Sequence, residues 1–377
     1  MHVGINAHLL SRSQSYRAAG ISRHIGNLID NLGGVDCAHR YTIFIGPDGK
    51  PTNGTVDNRI VYATSRIHTE SPPARILWEQ IIAPFEVRRL NIDVFHAPAY
   101  VTPLATGCPT VVTVHDLSFE RLPHLFNRGN RLYLSSMTRA SVQRARGIIA
   151  VSESTRRELI ELLGVPERLI HVIPNGVEPF FQPLDKERID RFRAERGLPE
   201  RFILFLGTLE PRKNVRTLLR AYARLRRDHG TDHSLVLAGA KGWLYESIFE
   251  EARSLGLENA VLFPGFVPFE DQPLWYNACT VFAFPSLYEG FGMPALEAMA
   301  CGAPVVCSNT TSLPEVVGDA GLTIPPLDEA ALADALWRVL DQPAQAARMR
   351  SAGLEQAKRF SWASIARATV AVYDAAA

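Results

Sequence analysis

Residues 287–306, LYEGFGMPALEAMACGAPVV, place two carboxylates, two glycines and a helix start within ten positions of one another. Ahead of them the apolar run 280–285, TVFAFP, has the β-branched and aromatic make-up of a strand buried on both faces. Behind them Pro294 suits a first helical position, and Ala295 to Ala300 continue a good helix. Gly290 and Gly292 therefore fall in a strand-to-helix loop, where backbone can come close to a ligand and helix N–H groups favour an anion. Glu289 opens this loop and Glu297, separated from it by seven residues, falls in what reads as the first helical turn. Carboxylates repel phosphate but accept from paired hydroxyls, so the arrangement suits phosphate carried between two polyols, as in a nucleotide sugar.

Two plainer readings compete. Gly290-Phe-Gly292-Met-Pro-Ala295 formally fits the dinucleotide fingerprint, but the next strand ends in Ser308-Asn309 and offers no acid to a ribose. Alternatively, Glu297 complements a helix dipole and Glu289 is a solvated loop residue.

The bulk properties allow an ordinary soluble protein. The chain has 377 residues, 46% hydrophobic and 21% charged, enough for two domains with sizeable cores. Its net charge is +1, which excludes a strongly basic nucleic-acid binder. Residues 1–180 carry 19 basic and 15 acidic side chains, leaving 21 and 24 for the rest. Five cysteines without a CxxC fit a reducing compartment rather than a disulfide or metal framework. No signal-peptide pattern opens the chain and no apolar run reaches spanning length, so a cytoplasmic location is expected.

Along the chain, strand-like runs at 1–6, 41–45, 59–63, 94–96, 111–115, 147–151 and 169–173 alternate with helical patterns at 21–32, 74–90, 128–146 and 153–163. A polar loop through Ala19-Gly20 precedes the first helix. Residues 177–199 break the alternation with prolines and charge, marking a boundary. It then restarts, with strands at 201–206, 234–238, 260–263, 280–284 and 304–307 and helices near 214–228, 245–256, 269–278, 294–301 and 312–318. Helical stretches 328–358 and 362–375 close the chain. This pattern predicts two α/β domains in series, each a parallel sheet wrapped by helices. A ligand is expected in a cleft between them.

The second informative stretch is 205–214, FLGTLEPRKN, where Gly207 and the adjacent cations Arg212 and Lys213 follow the second domain's first strand. A guanidinium fork beside an ammonium suits a diphosphate. The competing reading leaves both in water, although cations at a helix N-terminus oppose its dipole.

Arg212-Lys213, Glu289 and Glu297 flanking GFGMP, Asn175-Gly176 after VIP, and His115 after VVTV together resemble the family-4 retaining glycosyltransferases of the GT-B fold. The likeness spans essentially the whole chain. It implies two Rossmann-like domains facing across a cleft: an acceptor domain at 1–180, a nucleotide-sugar domain at 181–358, and a helix at 359–377 crossing back to the first. Position by position, it implies that Arg212 and Lys213 bind the donor diphosphate and Glu297 the ribose hydroxyls. Glu289, with the amides of Phe291, Gly292 and Met293, would lie beside the donor sugar and distal phosphate. His115 would reach the sugar near its reacting carbon, Gly20 would approach the phosphates, and Asn175 would join the donor site. Gly239, Phe266 and Val267 would line the base and ribose pocket. For His115 and Gly20 the plainer readings are a core-bonded histidine and a helix-start glycine.

The resemblance implies same-face transfer of a hexose, mannose from GDP-mannose, to a hydroxyl of a glycan or lipid-linked acceptor in surface polysaccharide synthesis. A UDP-sugar donor, a UDP-sugar epimerase of the same fold, and a non-catalytic nucleotide-sugar-binding subunit are the alternatives. No cofactor is expected. The sequence has no Asp-x-Asp, so no carboxylate-bound metal is expected either. Residues 121–152 hold six arginines and no acid. On a continuous helix Arg128, Arg131, Arg139 and Arg146 share one face, either solvated or turned to a phosphate-bearing acceptor or to anionic lipid on the inner face of the plasma membrane.

Overall fold

Uninterrupted runs of β-branched and aromatic residues need cover on both faces, and the computed structural model supplies it in two parallel sheets flanked by helices. The structure describes residues 1–10, 20–47, 49, 57–69, 71–123 and 126–377. The first sheet contains β1 (His2–Asn6), β2 (Arg40–Ile45), β3 (Ile60–Thr64), β4 (Val94–Ala97), β5 (Thr110–Val114), β6 (Gly147–Ala150) and β7 (Ile170–Val172). Their order is β3-β2-β1-β4-β5-β6-β7. The second contains β8 (Phe202–Leu206), β9 (Ser234–Ala238), β10 (Val261–Gly265), β11 (Val281–Phe284), β12 (Val305–Ser308) and β13 (Leu322–Ile324), in the order β10-β9-β8-β11-β12-β13. The chain turns back between β1 and β4 in one sheet and between β8 and β11 in the other. Open α/β sheets bind ligands at the carboxyl ends of strands flanking such a switch point.

Met1–Gly176 with Ser361–Ala377 form one compact unit, and Val177–Phe360 the other. Val3, Val94, Val111 and Ile148 fill the first core; Phe202, Leu204, Val281 and Val306 fill the second. Each such side chain contributes roughly 1.5–3 kcal/mol by leaving water. The last helix, Trp362–Ala376, buries Ile365, Val372 and Tyr373 in the first core, and the Tyr373 hydroxyl lies 2.7 Å from His96 Nδ1.

Several elements differ from the sequence expectations. The first unit ends at Gly176 rather than at 180, because Val177 N–H donates to Phe360 O at 3.0 Å and Phe181 packs on Phe269 and Tyr276. The charged stretch after it forms a helix, Lys186–Arg196, whose single buried residue, Phe192, leaves almost no periodic signal. The stretch 328–358 is two helices, Glu329–Asp341 and Pro343–Ala357, because Gln342 leaves helical geometry (φ −117°, ψ 87°) and Pro343 has no N–H to continue it. β13, of three residues, gave too short a pattern to read. The arginine-bearing helix stops at Arg144: Ala145 turns extended with ψ 142°, so Arg146 leaves the expected face. Arg121 is engaged by Glu158 and Glu161 at 3.0 and 2.8 Å. The polar loop expected before Gly20 lies, over residues 11–19, outside the described residues. Among the described residues no helix is long and apolar enough to cross a membrane.

Candidate active site

The end of β8 and the end of β11 build the site in the second unit. After Leu206 the chain passes Gly207, whose N–H donates to Ala238 O at 3.0 Å. Gly239 faces it with φ 148°, and a Cβ there would lie 1.9 Å from Gly207 O, so no side chain fits. A short 3₁₀ turn, Pro211–Lys213, then presents the two cations. Asn214 closes the turn in the left-handed region (φ 57°), its Nδ2 donating to Pro285 O at 3.0 Å. That bond ties the cation turn to the loop after β11.

The cations converge on Glu289. Lys213 Nζ donates to its Oε1 at 2.6 Å and Arg212 Nη1 to its Oε2 at 3.1 Å. Ser286 Oγ donates to Oε1 at 2.5 Å. Arg212 also reaches Tyr288 O at 2.8 Å and Glu210 Oε1 at 3.0 Å, and Lys213 lies 5.0 Å over the Phe284 ring. Lys213 and Glu289 are each 8% exposed, so neither is the solvated residue of the plainer readings. Burial would raise the Glu289 carboxyl, but the Lys213 and Arg212 charges outweigh it and hold it at about 2. Burial, then the neighbouring Arg212, lowers Lys213.

Residues after β12 hold the Glu289 loop. Glu289 N–H donates to Thr311 Oγ1 at 3.1 Å, and Ser312 Oγ donates to Glu289 O and Phe291 O at 2.9 and 2.7 Å. Gly292 takes φ 108° and starts the helix Met293–Ala300, whose first internal bonds run from Ala295 and Leu296 back to Gly292 O. The amides of Phe291, Gly292 and Met293 stand ahead of those bonds, where a helix favours an anion. Gly290 belongs to the same loop.

Glu297 sits differently from its expected place. It is the fifth residue of its helix, not part of the first turn, is 1% exposed, and accepts from Tyr276 Oη at 2.9 Å. Phe266 and Val267 line a cavity of about 350 Å³ with Arg196, Leu198 and Trp275; Gly239 is not part of that lining.

In the first unit His115, just past β5, donates from Nε2 to Pro98 O at 2.8 Å. His24, on the helix Gly20–Val35, meets His115 edge-on with centroids 4.8 Å apart and lies 2.8 Å from Asn175 Oδ1 through Nδ1. The structure thus brings Asn175 and His115 together through His24. Burial keeps all three rings neutral in this unit, lowering His115 to about 4 and His24 and His96 to about 3. Gly20 is exposed at the start of its helix, and a Cβ there would meet nothing within 4 Å.

Sequence reasoning missed Ser286, Asn214, Tyr276, Thr311, Ser312 and His24. Ser286 and Asn214 carry a faint signal, each flanking a named motif. His24 and Tyr276 occupy helical faces and look like packing residues.

The second unit is a parallel sheet whose strand ends hold a cation pair on a carboxylate beside a helix-start glycine loop. These features define a nucleotide-sugar-handling class on the GT-B fold, and comparison with known proteins gives the family. The sequence pattern of "Glycosyl transferases group 1" matches residues 186–356, and that of "Glycosyltransferase Family 4" matches residues 18–179. The chain is 35% identical over 289 residues to O-antigen chain mannosyltransferase B of Escherichia coli, covering 74% of each chain. Its structure resembles sucrose-phosphate synthase of Thermosynechococcus elongatus (TM-score 0.77, 23% identity, 99% and 98% of the chains). It also resembles Anabaena HepE in complex with UDP and glucose (TM-score 0.76, 20% identity, 99% of each chain). The chain is therefore a glycosyltransferase. It belongs to the family-4 glycosyltransferases, with a group 1 second unit.

Proposed function

We propose that this chain is a retaining hexosyltransferase moving mannose from GDP-mannose to a hydroxyl of a glycan or lipid-linked acceptor in surface polysaccharide synthesis. The observation that carries the proposal is the bonding of Arg212 and Lys213 to Glu289 at the GFGMP loop. The likeness to an O-antigen mannosyltransferase supports mannose as the sugar.

In the proposed reaction the donor diphosphate takes the place of the Glu289 carboxylate on Arg212 and Lys213, leaving Glu289 to accept from donor-sugar hydroxyls. The amides of Phe291, Gly292 and Met293 hold the distal phosphate, Glu297 the ribose, and Phe266 and Val267 the base, while Gly207 and Gly239, packed backbone to backbone outside that cavity, keep the β8 end open to the donor. His115, Asn175 and Gly20 are proposed to take part in donor binding. The sugar C1–O bond to phosphate breaks as the acceptor oxygen bonds C1 on the same face, and the departing phosphate oxygen takes the acceptor's proton. Fixed cations stabilise the charge that grows on that oxygen.

The reaction is proposed to need no divalent metal, so activity in excess EDTA should match the untreated enzyme. Peripheral contact with anionic membrane is proposed through exposed Arg128, Arg131 and Leu132; sedimentation with vesicles regardless of anionic lipid would remove it. A UDP-sugar donor is the second reading, favoured by the HepE complex with UDP and glucose. Incubation with GDP-mannose or UDP-glucose, with and without oligomannoside, separates the outcomes. GDP release that requires acceptor supports the proposal; UDP release supports the second reading. Release without acceptor, or none, contradicts both.

A further inference from the structure

The first sheet has a switch point of its own, between β1 and β4, that the donor site does not use. Asn6 ends β1 there, its Nδ2 donating to Glu79 Oε1 at 3.3 Å while its Oδ1 accepts His8 N–H at 3.2 Å. Tyr133 Oη donates to Glu79 Oε2 at 3.4 Å, and Arg75 Nε stands 4.0 Å from Oε1. These are long for a carboxylate, whose bonds to charged donors usually measure about 2.7–2.9 Å. Glu79 is nonetheless only 4% exposed, and burial pushes it up to about 7 against the pull of Arg75. Beside it His8 packs on Trp78 with centroids 3.9 Å apart, and its Nδ1 lies 2.7 Å from Thr69 Oγ1. Its Nε2 is buried without a hydrogen-bond partner among the described residues. Trp78 and Glu79 open a π-helical turn, Trp78–Ile82, between the helices Pro72–Leu77 and Ala83–Arg89. Such turns occur frequently at functional sites.

A weakly held carboxylate and an unmet imidazole nitrogen are each unfavourable when buried. Hydroxyls satisfy both, donating to Glu79 and pairing with His8 in either tautomer. A phosphate is repelled by Glu79, and an apolar group satisfies neither. We propose that Asn6, His8 and Glu79 form the acceptor subsite, which receives an uncharged sugar residue by its hydroxyls. This rests on the glycosyl-transfer reading above. It narrows the acceptor to a neutral glycan end. His115 follows β5, two strands along the same sheet edge and about 10 Å away by strand spacing, roughly the length of a disaccharide.

The test is saturation-transfer NMR with methyl α-mannobioside on wild-type, Glu79→Gln and His8→Phe protein, alongside acceptor kinetics at saturating GDP-mannose. Glu79→Gln keeps the volume, and His8→Phe keeps the packing on Trp78. The expected result is at least tenfold weaker disaccharide binding and tenfold lower kcat/KM for acceptor in Glu79→Gln, a several-fold loss in His8→Phe, and a GDP affinity within twofold of wild-type in both. Unchanged disaccharide binding in either folded variant, or none in wild-type, would overturn the subsite. So would wild-type preference for mannose 6-phosphate over the neutral sugar. Because the NMR needs no donor, failure of GDP-mannose turnover with retained, Glu79-dependent binding would instead count against the donor.

Discussion

Lys213 is the residue on which the chemistry turns. Its ammonium is 8% exposed, 2.6 Å from Glu289 and above an aromatic face, so it is fixed before any donor arrives. Losing one preorganised donor of this kind typically costs about 3 kcal/mol of transition-state stabilisation, or roughly 10²- to 10³-fold in rate. Lys213→Ala should therefore lower kcat by about that factor, read from steady-state GDP release with circular dichroism confirming the fold; unchanged turnover in folded protein would refute the role. Removing Glu289 has a different signature. It leaves Lys213 buried beside Arg212, and breaking a buried pair this way costs about 3–5 kcal/mol, so Glu289→Ala should lower unfolding free energy by that order in urea titrations.

At the scale of elements, the β8 and β9 ends meet through backbone alone. A methyl at Gly239 would sit 1.9 Å from Gly207 O, an atom fixed by the sheet, and φ 148° is unfavourable for any L side chain. Gly239→Ala should cost about 1–3 kcal/mol of stability and displace the Gly207 loop, with weaker GDP binding by calorimetry. Wild-type affinity and stability would contradict this close approach. The same elements show what could be read without coordinates. The two sheets were legible because buried parallel strands are continuous apolar runs; Val281–Phe284 is one, and Phe202–Leu206 another. Lys186–Arg196 was not, because a helix with one buried residue has no periodicity to detect. Arg212, Lys213 and Glu289 were legible as charges at strand ends. Their mutual pairing was not, since 76 residues separate Lys213 from Glu289 and only the β8–β11 pairing brings them together. Glu297 reads as a first-turn acid if Pro294 opens the helix, but Met293 opens it and Pro294 is its second residue.

Across the whole molecule, buried histidines set the response to acid. His8 and His115 are lowered to about 4, and His24 and His96 to about 3, burial being the leading cause. The unfolded chain takes up protons near 6.5 while the folded one does not, so stability falls as pH drops from 6.5 toward 4 and 3. By pH 5 each histidine loses roughly 2 kcal/mol. Glu79 works the other way: raised to about 7, it favours the folded state as pH falls from 7 to 4.5, by about 3 kcal/mol. Four histidines outweigh one carboxyl. Tm should fall between pH 7.5 and 5, and His96→Gln should flatten that slope; a Tm that rises on acidification would contradict the balance.

The central claim is that Arg212 and Lys213 hold the donor's diphosphate. Calorimetric titration of GDP into wild-type, Arg212→Ala and Lys213→Ala protein tests it most directly. Hydrogen bonds to charged groups contribute about 1.5–3 kcal/mol, so each variant should bind GDP roughly 10- to 150-fold more weakly while guanosine binding stays unchanged. Equal GDP affinity in wild-type and both folded variants would contradict it.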